Sequence, residues 1–302
     1  MLLMGLKFYK DQDDNVINVR VCKVVEHEAL NSVVTGMQDY LKSVSKDKSY
    51  NVSVETCQGN IALASQIIAK FANSKTDVVV TIGTIPSQVA YKSAKNGRIK
   101  AVFSSVTNPA DIANDFKNSN MTGVSNFVKI EPQLELFQKI QPSLKKIGMI
   151  YNTGEANSVF IVQKTEIACK KMGIKLITQG ISKISELLQA TEKIAQKVDA
   201  VFISNDNMVL SSMENVCAIC DKYKILVYVS DTDQVQKGCA AALGPNQYEI
   251  GVQTGKIVKR ITDGEDINQI AVQYPESTEL YINTKSPIKI PDEIISQAKK
   301  IF

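Results

Sequence analysis

The feature that most constrains this chain is an alternation. Short, nearly continuous runs of Val and Ile recur along the sequence, each followed by a longer segment whose apolar residues return with a helical period. The runs are residues 19–25 (VRVCKVV), 50–56 (YNVSVET), 77–83 (DVVVTIG), 100–106 (KAVFSSV), 146–151 (KIGMIY), 174–179 (IKLITQ), 199–204 (DAVFIS) and 225–230 (ILVYVS). A strand with one solvated face alternates apolar and polar residues, whereas a strand covered on both faces does not, so these runs predict parallel strands flanked by helices. Between them, Ile61, Ala64, Ile68 and Phe71, and then Ile161, Thr165, Ala168 and Met172, mark two helix faces, the second closed by Gly173 as a C-terminal cap. Strand–helix units fall before residue 125 and again after residue 145. The prediction is an α/β protein of two doubly wound parallel-sheet lobes rather than one wide sheet.

Composition narrows the class. At roughly 150 residues per domain, 302 residues suit two lobes, and 44% apolar with 22% charged residues excludes a disordered chain. The net charge of +4 is spread along the sequence with no basic run longer than two, so no nucleic-acid partner is expected. No stretch approaches the roughly 18 apolar residues of a membrane span. Met1 to Leu6 is apolar but stops at Lys7, short of the about 7 to 15 residues of a secretory core. Residues 1–18 are therefore expected to form an exposed leader, with no complete export signal in the chain as given.

The polar residues collect where the runs end. In parallel α/β sheets, ligands bind at the C-terminal ends of the strands, where loops and helix N-termini converge. The ends of the first half carry Glu26 and His27, then Thr84, Ser87 and Gln88, then Ser104 to Pro109 with Thr107 among them. Those of the second half carry Tyr151 to Ser158, with Glu155 and Asn157 among them, then Asn205, Asp206 and Asn207, then Asp231 and Asp233. The first half thus offers hydroxyls and a helix opened by Pro86, the second carboxylates. A carboxylate suits helix N-terminal amides and an ammonium suits the acids, which together describe a free amino acid. The competing reading is that Asp and Asn at strand ends simply cap the following helix.

Other chemistries are thinly represented. His27 is the only histidine, which removes Ser-His-Asp, Cys-His and multi-histidine metal sites; between Glu26 and Glu28 it reads either as a structural residue or as part of a ligand wall. Six cysteines are too sparse for a disulfide framework in this length. Cys217 and Cys220 form C-x-x-C, yet they continue the spacing Leu210, Met213, Cys217, Cys220 and so read as one buried helix face. No G-x-G-x-x-G or G-x-x-x-x-G-K-[ST] occurs, so no nucleotide cofactor, and no cofactor of any kind, is expected.

Taken in order, EHEAL (26–30), CQGN (57–60), TIPSQ (84–88), VFSSVTNP (102–109), MTGVSN (121–126), IGMIYNTGEANS (147–158), SNDNMV (204–209), SDTDQVQKG (230–238) and ALGPNQYEIGVQTG (242–255) resemble ABC-transporter substrate-binding proteins of the TrpX type. The resemblance runs from about residue 19 to the C-terminus and implies a type I periplasmic binding protein-like fold. It departs from that pattern at Ile85, where the proline comes one step later at Pro86, and at Asn108 and Asn126, where Asp is more usual. It implies a non-enzymatic protein that carries an aromatic or large apolar amino acid to an ABC permease and its ATPase, in the periplasm or associated with the membrane on its extracytoplasmic side, as a monomer. By the same resemblance Thr84, Ser87 and Thr107 hold the carboxylate, Glu155, Asp206 and Asp231 the ammonium, and Glu26, His27, Gln88, Tyr151, Asn157, Ser158 and Asn207 complete the walls.

The expected division is residues 19–126 with 247–275 in lobe 1 and residues 127–246 with 276–302 in lobe 2. Crossovers near 125–128, 244–248 and 273–277 would form the hinge on which the lobes close. A transcription-regulator effector lobe and a doubly wound enzyme share this architecture. The first would need a DNA-binding unit of about 50 residues where 18 precede the first strand, and the second would need turnover of the bound ligand.

Overall fold

The structure is a computed structural model and describes residues 15–46 and 48–302. The leader expected at 1–18 lies outside the described residues up to residue 14. Its last part does not: strand β1 (Val16–Lys23) begins three residues before the apolar run, because Val16, Ile17 and Asn18 already pair with Ser49, Tyr50 and Asn51. Asp77 Oδ2 accepts the Asn18 N–H at 2.7 Å and fixes that start.

From there the first half follows the alternation read in the sequence: α1 (Glu28–Ser43), β2 (Ser49–Thr56), α2 (Ile61–Ala72), β3 (Val78–Ile82), α3 (Thr84–Lys95), β4 (Ala101–Val106) and β5 (Met121–Ser125). These strands form one parallel sheet in the order β2-β1-β3-β4-β5. β3, β4 and β5 are buried along their whole length, which is why their residues do not alternate. In α2 the expected face holds at Ala64, Ile68 and Phe71, while Ile61, in the first turn, faces solvent.

The second half begins with α4 (Ile130–Ile140) and continues through β6 (Lys146–Asn152), α5 (Ala156–Met172), β7 (Lys175–Ile181), α6 (Leu187–Ala195), β8 (Ala200–Ile203), α7 (Asn207–Leu210), α8 (Met213–Lys222), β9 (Leu226–Val229) and β10 (Ala241–Gly244). After α9 (Gln247–Thr262) come β11 (Glu279–Ile282), α10 (Asp292–Ile295) and β12 (Lys300–Ile301). The second sheet runs β12-β11-β10-β9-β8-β6-β7 and is not wholly parallel, since β11 pairs antiparallel with β10. Gly173 closes α5 in the left-handed region at φ 68°, as its position after Met172 predicts. The Leu210 to Cys220 stripe is buried throughout but spans two helices, α7 and α8, separated at Ser211 and Ser212. All six cysteines are free and buried.

The molecule therefore has two α/β lobes, each with its own sheet and apolar core. Ile130, Leu134 and Phe137 of α4 pack on the second sheet, where Phe137 stacks on Tyr228 with ring centroids 4.2 Å apart. Burying each such side chain stabilises its lobe by about 1.5–3 kcal/mol. α9, although it follows β10, returns to the first lobe, where Ile250, Ile257, Val258 and Ile261 join the core of α1 and β1. The chain crosses back again after Gln273, which is bridged to Val124 beside β5.

One helix pair sets the site. A Cβ added at Gly36 would stand 2.1 Å from the Tyr248 carbonyl oxygen, and one at Gly251 2.1 Å from that of Val33. α1 and α9 thus lie backbone against backbone and run in the same direction, with the start of α9 beside the second and third turns of α1, and His27 and Gln247 both line the cavity.

Candidate ligand-binding site

Polar strand ends of both sheets meet between the lobes. They line a narrow cavity of ≈ 20 Å³, with His27, Ala29 and Leu30 at the start of α1, Thr84 at the start of α3, and Ser105, Thr107 and Asn126 beyond β4 and β5. Gln247 of α9 completes the first lobe's share. The second lobe supplies Asn157, Asn205, Asn207, Leu210 and Asp231. Among the described residues no Lys or Arg lines this space. Beside it, along the crossovers between the lobes, lies a wider groove of ≈ 760 Å³, bordered by Thr107, Asn108, Phe127, Phe160, Lys164 and Tyr274. Only Thr107 borders both, and the convergence of helix N-termini belongs to the smaller cavity.

The cavity is shut by bonds between the lobes. Asn205 Nδ2 donates to Thr107 Oγ1 at 3.2 Å, Ser32 Oγ to Asp233 Oδ2 at 3.3 Å, and Gln236 Nε2 to Glu28 Oε1 at 2.7 Å. Lys237 Nζ also approaches Glu28 Oε2 at 3.6 Å. Two wall residues hold left-handed backbone without being glycine: Ser105 at φ 52° and Asn205 at φ 46°. Such strain persists where surrounding structure enforces it, and it often marks a binding site.

Of the thirteen residues named from sequence, His27, Thr84, Thr107, Asn157, Asn207 and Asp231 line the cavity. The other seven lie elsewhere. Glu26 is exposed and paired with Lys23 at 2.7 Å and with Thr56, on the outer side of the β1 end. Ser87 is buried under α3, donating to the Gly83 carbonyl at 2.6 Å and bonding Thr81 at 2.8 Å; a serine one turn into a helix readily back-bonds in this way. Gln88 points outward and donates to the Asp111 carbonyl at 2.8 Å. Tyr151 alternates with Asn152 along β6 and so faces the opposite side, over Gly180 of β7. Ser158 sits behind Asn157, whose Nδ2 reaches its Oγ at 3.4 Å.

Glu155 and Asp206, the two acids expected to hold a ligand ammonium, are occupied by the protein itself. Glu155 Oε1 accepts from Asn152 Nδ2 and the Met208 N–H, both at 3.1 Å. Its Oε2 accepts from Asn157 Nδ2 and the Asn207 N–H at 3.1 Å and from Asn207 Nδ2 at 2.6 Å. Five donors saturate this carboxylate, and its work is to aim Asn157 and Asn207 at the cavity. Asp206 accepts the Asn152 N–H at 2.6 Å and, as N-cap of α7, the Val209 N–H at 2.9 Å. Burial, reinforced by the Glu155 charge, pushes its pKa up to about 7.

Asp231 alone combines a carboxylate with the cavity wall. It accepts from the Asp233 N–H at 3.1 Å and from Gln234 Nε2 at 3.0 Å and is 2% exposed. Burial, then the neighbouring Asp233, raises its pKa to about 7. Opposite stands His27, 8% exposed, with neither ring nitrogen hydrogen-bonded. Burial lowers its pKa to about 4, so the ring is neutral.

Residues 18–302 match the family model described as ABC transporter substrate binding protein. The chain belongs to that family. This substrate-binding protein is 29% identical over 276 residues to a tyrosine-binding protein of Clostridioides difficile, the match covering 88% of this chain and 78% of the relative. It superimposes with a TM-score of 0.88, at 25% identity, on the ABC domain from Streptococcus pneumoniae solved in complex with L-Trp, over 95% of this chain and 99% of that one. The ligand-free, open structure of a substrate-binding protein with adhesive properties from Clostridium difficile gives a TM-score of 0.70 at 28% identity, over 94% and 98% of the two chains. Like the family and these neighbours, the chain is a substrate-binding protein and not an enzyme.

Sequence reasoning missed Ser105, Asn126, Asn205, Leu30, Leu210 and Gln247 as wall residues of this substrate-binding protein. Ser105 and Asn205 lie within the very strand ends that the sequence marks, and their signal is that position; Asn126 ends the MTGVSN motif after β5, a strand that no apolar run announces. Gln247 lies in the ALGPNQYEIGVQTG motif and in the segment expected in lobe 1, but its place in the wall depends on how closely α9 packs on α1, which no local pattern encodes. Among the described residues no helix is long and apolar enough to cross a membrane.

Proposed function

We propose that this chain is the substrate-binding component of an ABC importer that captures a free amino acid, aromatic or large apolar, by closing its two lobes around it. The observation that carries this reading is the cavity itself. It is shared by both lobes, has among the described residues one acid and no lysine or arginine in its wall, and is ringed by the openings of α1, α3 and α9. A zwitterion fits such a wall, because its ammonium neutralises the acid while its carboxylate takes hydroxyls and helix N–H groups. His27, Thr84, Thr107, Asn157, Asn207 and Asp231 are the contacts kept from the sequence reading. Glu155, Asp206 and Ser158 support them from behind.

The aromatic preference rests on the relatives whose names record tyrosine and L-Trp. The closing motion is supported by the better superposition on the L-Trp complex, 0.88, than on the ligand-free open form, 0.70, at comparable identity. In this reading the lobes comprise residues 19–126 with 247–275 and 127–246 with 276–302, the monomer works outside the cytoplasm, and a permease with its ATPase reads the closed surface.

The test is a thermal-shift screen of protein first unfolded and refolded to strip bound ligand, against the twenty amino acids, small peptides, sugars and nucleosides. A ligand at 100 times its dissociation constant adds about 2.7 kcal/mol of stability. A shift confined to aromatic and large apolar amino acids is expected. A shift with sugars or nucleosides alone would overturn the reading.

A further inference from the structure

The cavity wall holds a helix opening whose capping residue caps nothing. His27 is the N-cap of α1, a helix of 16 residues, and makes no side-chain capping bond. Ser, Thr, Asp and Asn dominate this position because a short side-chain oxygen reaches the free N–H groups of the first turn. An imidazole does not serve them, and here both of its nitrogens lack a partner although the residue is more than nine-tenths buried. Ala29 and Leu30, of the same first turn, also line the cavity. The opening of α1 therefore presents unsatisfied N–H groups, the positive end of a helix dipole and an unbonded ring to one enclosed space.

The α3 opening, where the sequence placed the carboxylate, is less available. Ser87 is engaged by Gly83 and Thr81, which leaves Thr84 as the α3 residue in the wall. Across from α1 stands the segment after β9. Ser32 meets Asp233, and Glu28 meets Gln236 and Lys237, so the first turn of α1 and residues 231–237 face each other directly. Those bonds flank His27 on one lobe and Asp231, the cavity's single acid, on the other.

We propose that the bound amino acid lays its α-carboxylate on the N-terminus of α1, accepting a hydrogen bond from the His27 imidazole, and turns its α-ammonium to Asp231. This rests on the amino-acid reading above and deepens it by naming which helix reads the carboxylate and which residue discriminates for it. A neutral imidazole keeps one N–H to donate, and in the ligand-free protein burial lowers the ring's pKa to about 4 against an opposing contribution from the Asn207 side chain. Because the two ends of one small zwitterion then bond to opposite lobes, ligand recognition and closure become one event. An amine without a carboxylate would leave His27 unpaired, and an acid without an ammonium would leave Asp231 buried and unpaired.

The experiment compares L-tryptophan with tryptamine and indole-3-propionate, and L-tyrosine with tyramine and 3-(4-hydroxyphenyl)propionate, by calorimetric titration of the wild type and His27→Ala. For the amino acids and the propionates, which keep the carboxylate, His27→Ala is expected to cost roughly 10- to 100-fold in affinity, the range for a hydrogen bond to a charged group. The two amines should bind the variant as they bind the wild type. Equal losses for amines and amino acids, or unchanged amino-acid affinity, would overturn the assignment. Should His27→Ala not fold, the wild type still decides, because its single histidine gives one pair of imidazole signals, Nδ1 and Nε2, in nitrogen NMR without assignment. The amino acid should raise that ring's pKa and shift one nitrogen to the hydrogen-bonded donor position, and the amine should not; no change with the amino acid overturns the proposal. A wild type that binds no amino acid removes both this inference and the function it rests on, whereas binding that ignores His27 removes this one alone.

Discussion

The two walls of the cleft solve the same problem with different materials. Lobe 1 meets the cavity with helix openings, hydroxyls and a neutral imidazole, and no ionised side chain. Lobe 2 brings Glu155, Asp206 and Asp231 to adjacent strand ends, yet shows the cavity only the last. Glu155 and Asp206 spend their charge on protein donors, holding α5, α7 and the end of β6 in register. The lesson is that acids at strand ends count toward a ligand only after the backbone N–H groups around them have been served. A carboxylate saturated by five donors builds a site without touching what binds there.

Breaking this contrast at Asp231 should have the largest effect. Asp231→Asn removes one partner of a desolvated charge pair and is expected to weaken amino-acid binding by roughly 2–5 kcal/mol, measured by calorimetry, with little change in the unfolding midpoint. Glu155→Ala should show the reverse balance. It strands five donors and is expected to cost about 3 kcal/mol of stability in urea unfolding, with affinity falling only because Asn157 and Asn207 lose their aim.

Titration sharpens the comparison. An Asp whose folded pKa is raised from 3.8 to about 7 holds a proton that the unfolded chain has released. Ligand-free stability should therefore decline as the pH climbs from about 4 to about 7. His27 acts in the opposite sense: its folded pKa of about 4 lies below the ordinary 6.5, so its share of stability is complete above 6.5 and is lost as the pH falls toward 4. Affinity for the amino acid should rise several-fold between about pH 6 and pH 8, as Asp231 gives up its proton to receive the ammonium. A flat profile would mean that Asp231 is ionised before the ligand arrives. The smallest effect is expected at Cys217, whose Sγ packs 3.5 Å from that of Cys239 within the core of lobe 2. Cys217→Ser should leave affinity unchanged and cost about 1 kcal/mol for the buried hydroxyl.

The architecture was legible because both-face burial leaves unbroken Val and Ile runs. All eight runs became strands, and Gly173 capped its helix as read. The additional strands β5, β10, β11 and β12 are two to five residues long, too short to show a period, and β11 enters antiparallel by a register that no local pattern encodes. The site was legible at the level of strand ends but not of side-chain direction. Tyr151 and Asn152 differ by one step along β6, which is enough to put one on the far face of the sheet. Ser87 was misread because a hydroxyl one turn into a helix can satisfy a carbonyl as easily as a ligand. The place of Gln247 in the wall was invisible because the glycine contacts that draw α9 onto α1 join residues more than 200 positions apart.

The most direct measurement of the central claim is a crystal structure of this protein grown with L-tyrosine or L-tryptophan. The account predicts the amino acid between the lobes with its nitrogen in hydrogen-bond distance of Asp231, and with Glu155 and Asp206 still bonded to Asn152, Asn207 and Val209. A nitrogen bound instead by Glu155 or Asp206, with those protein bonds broken, would contradict it.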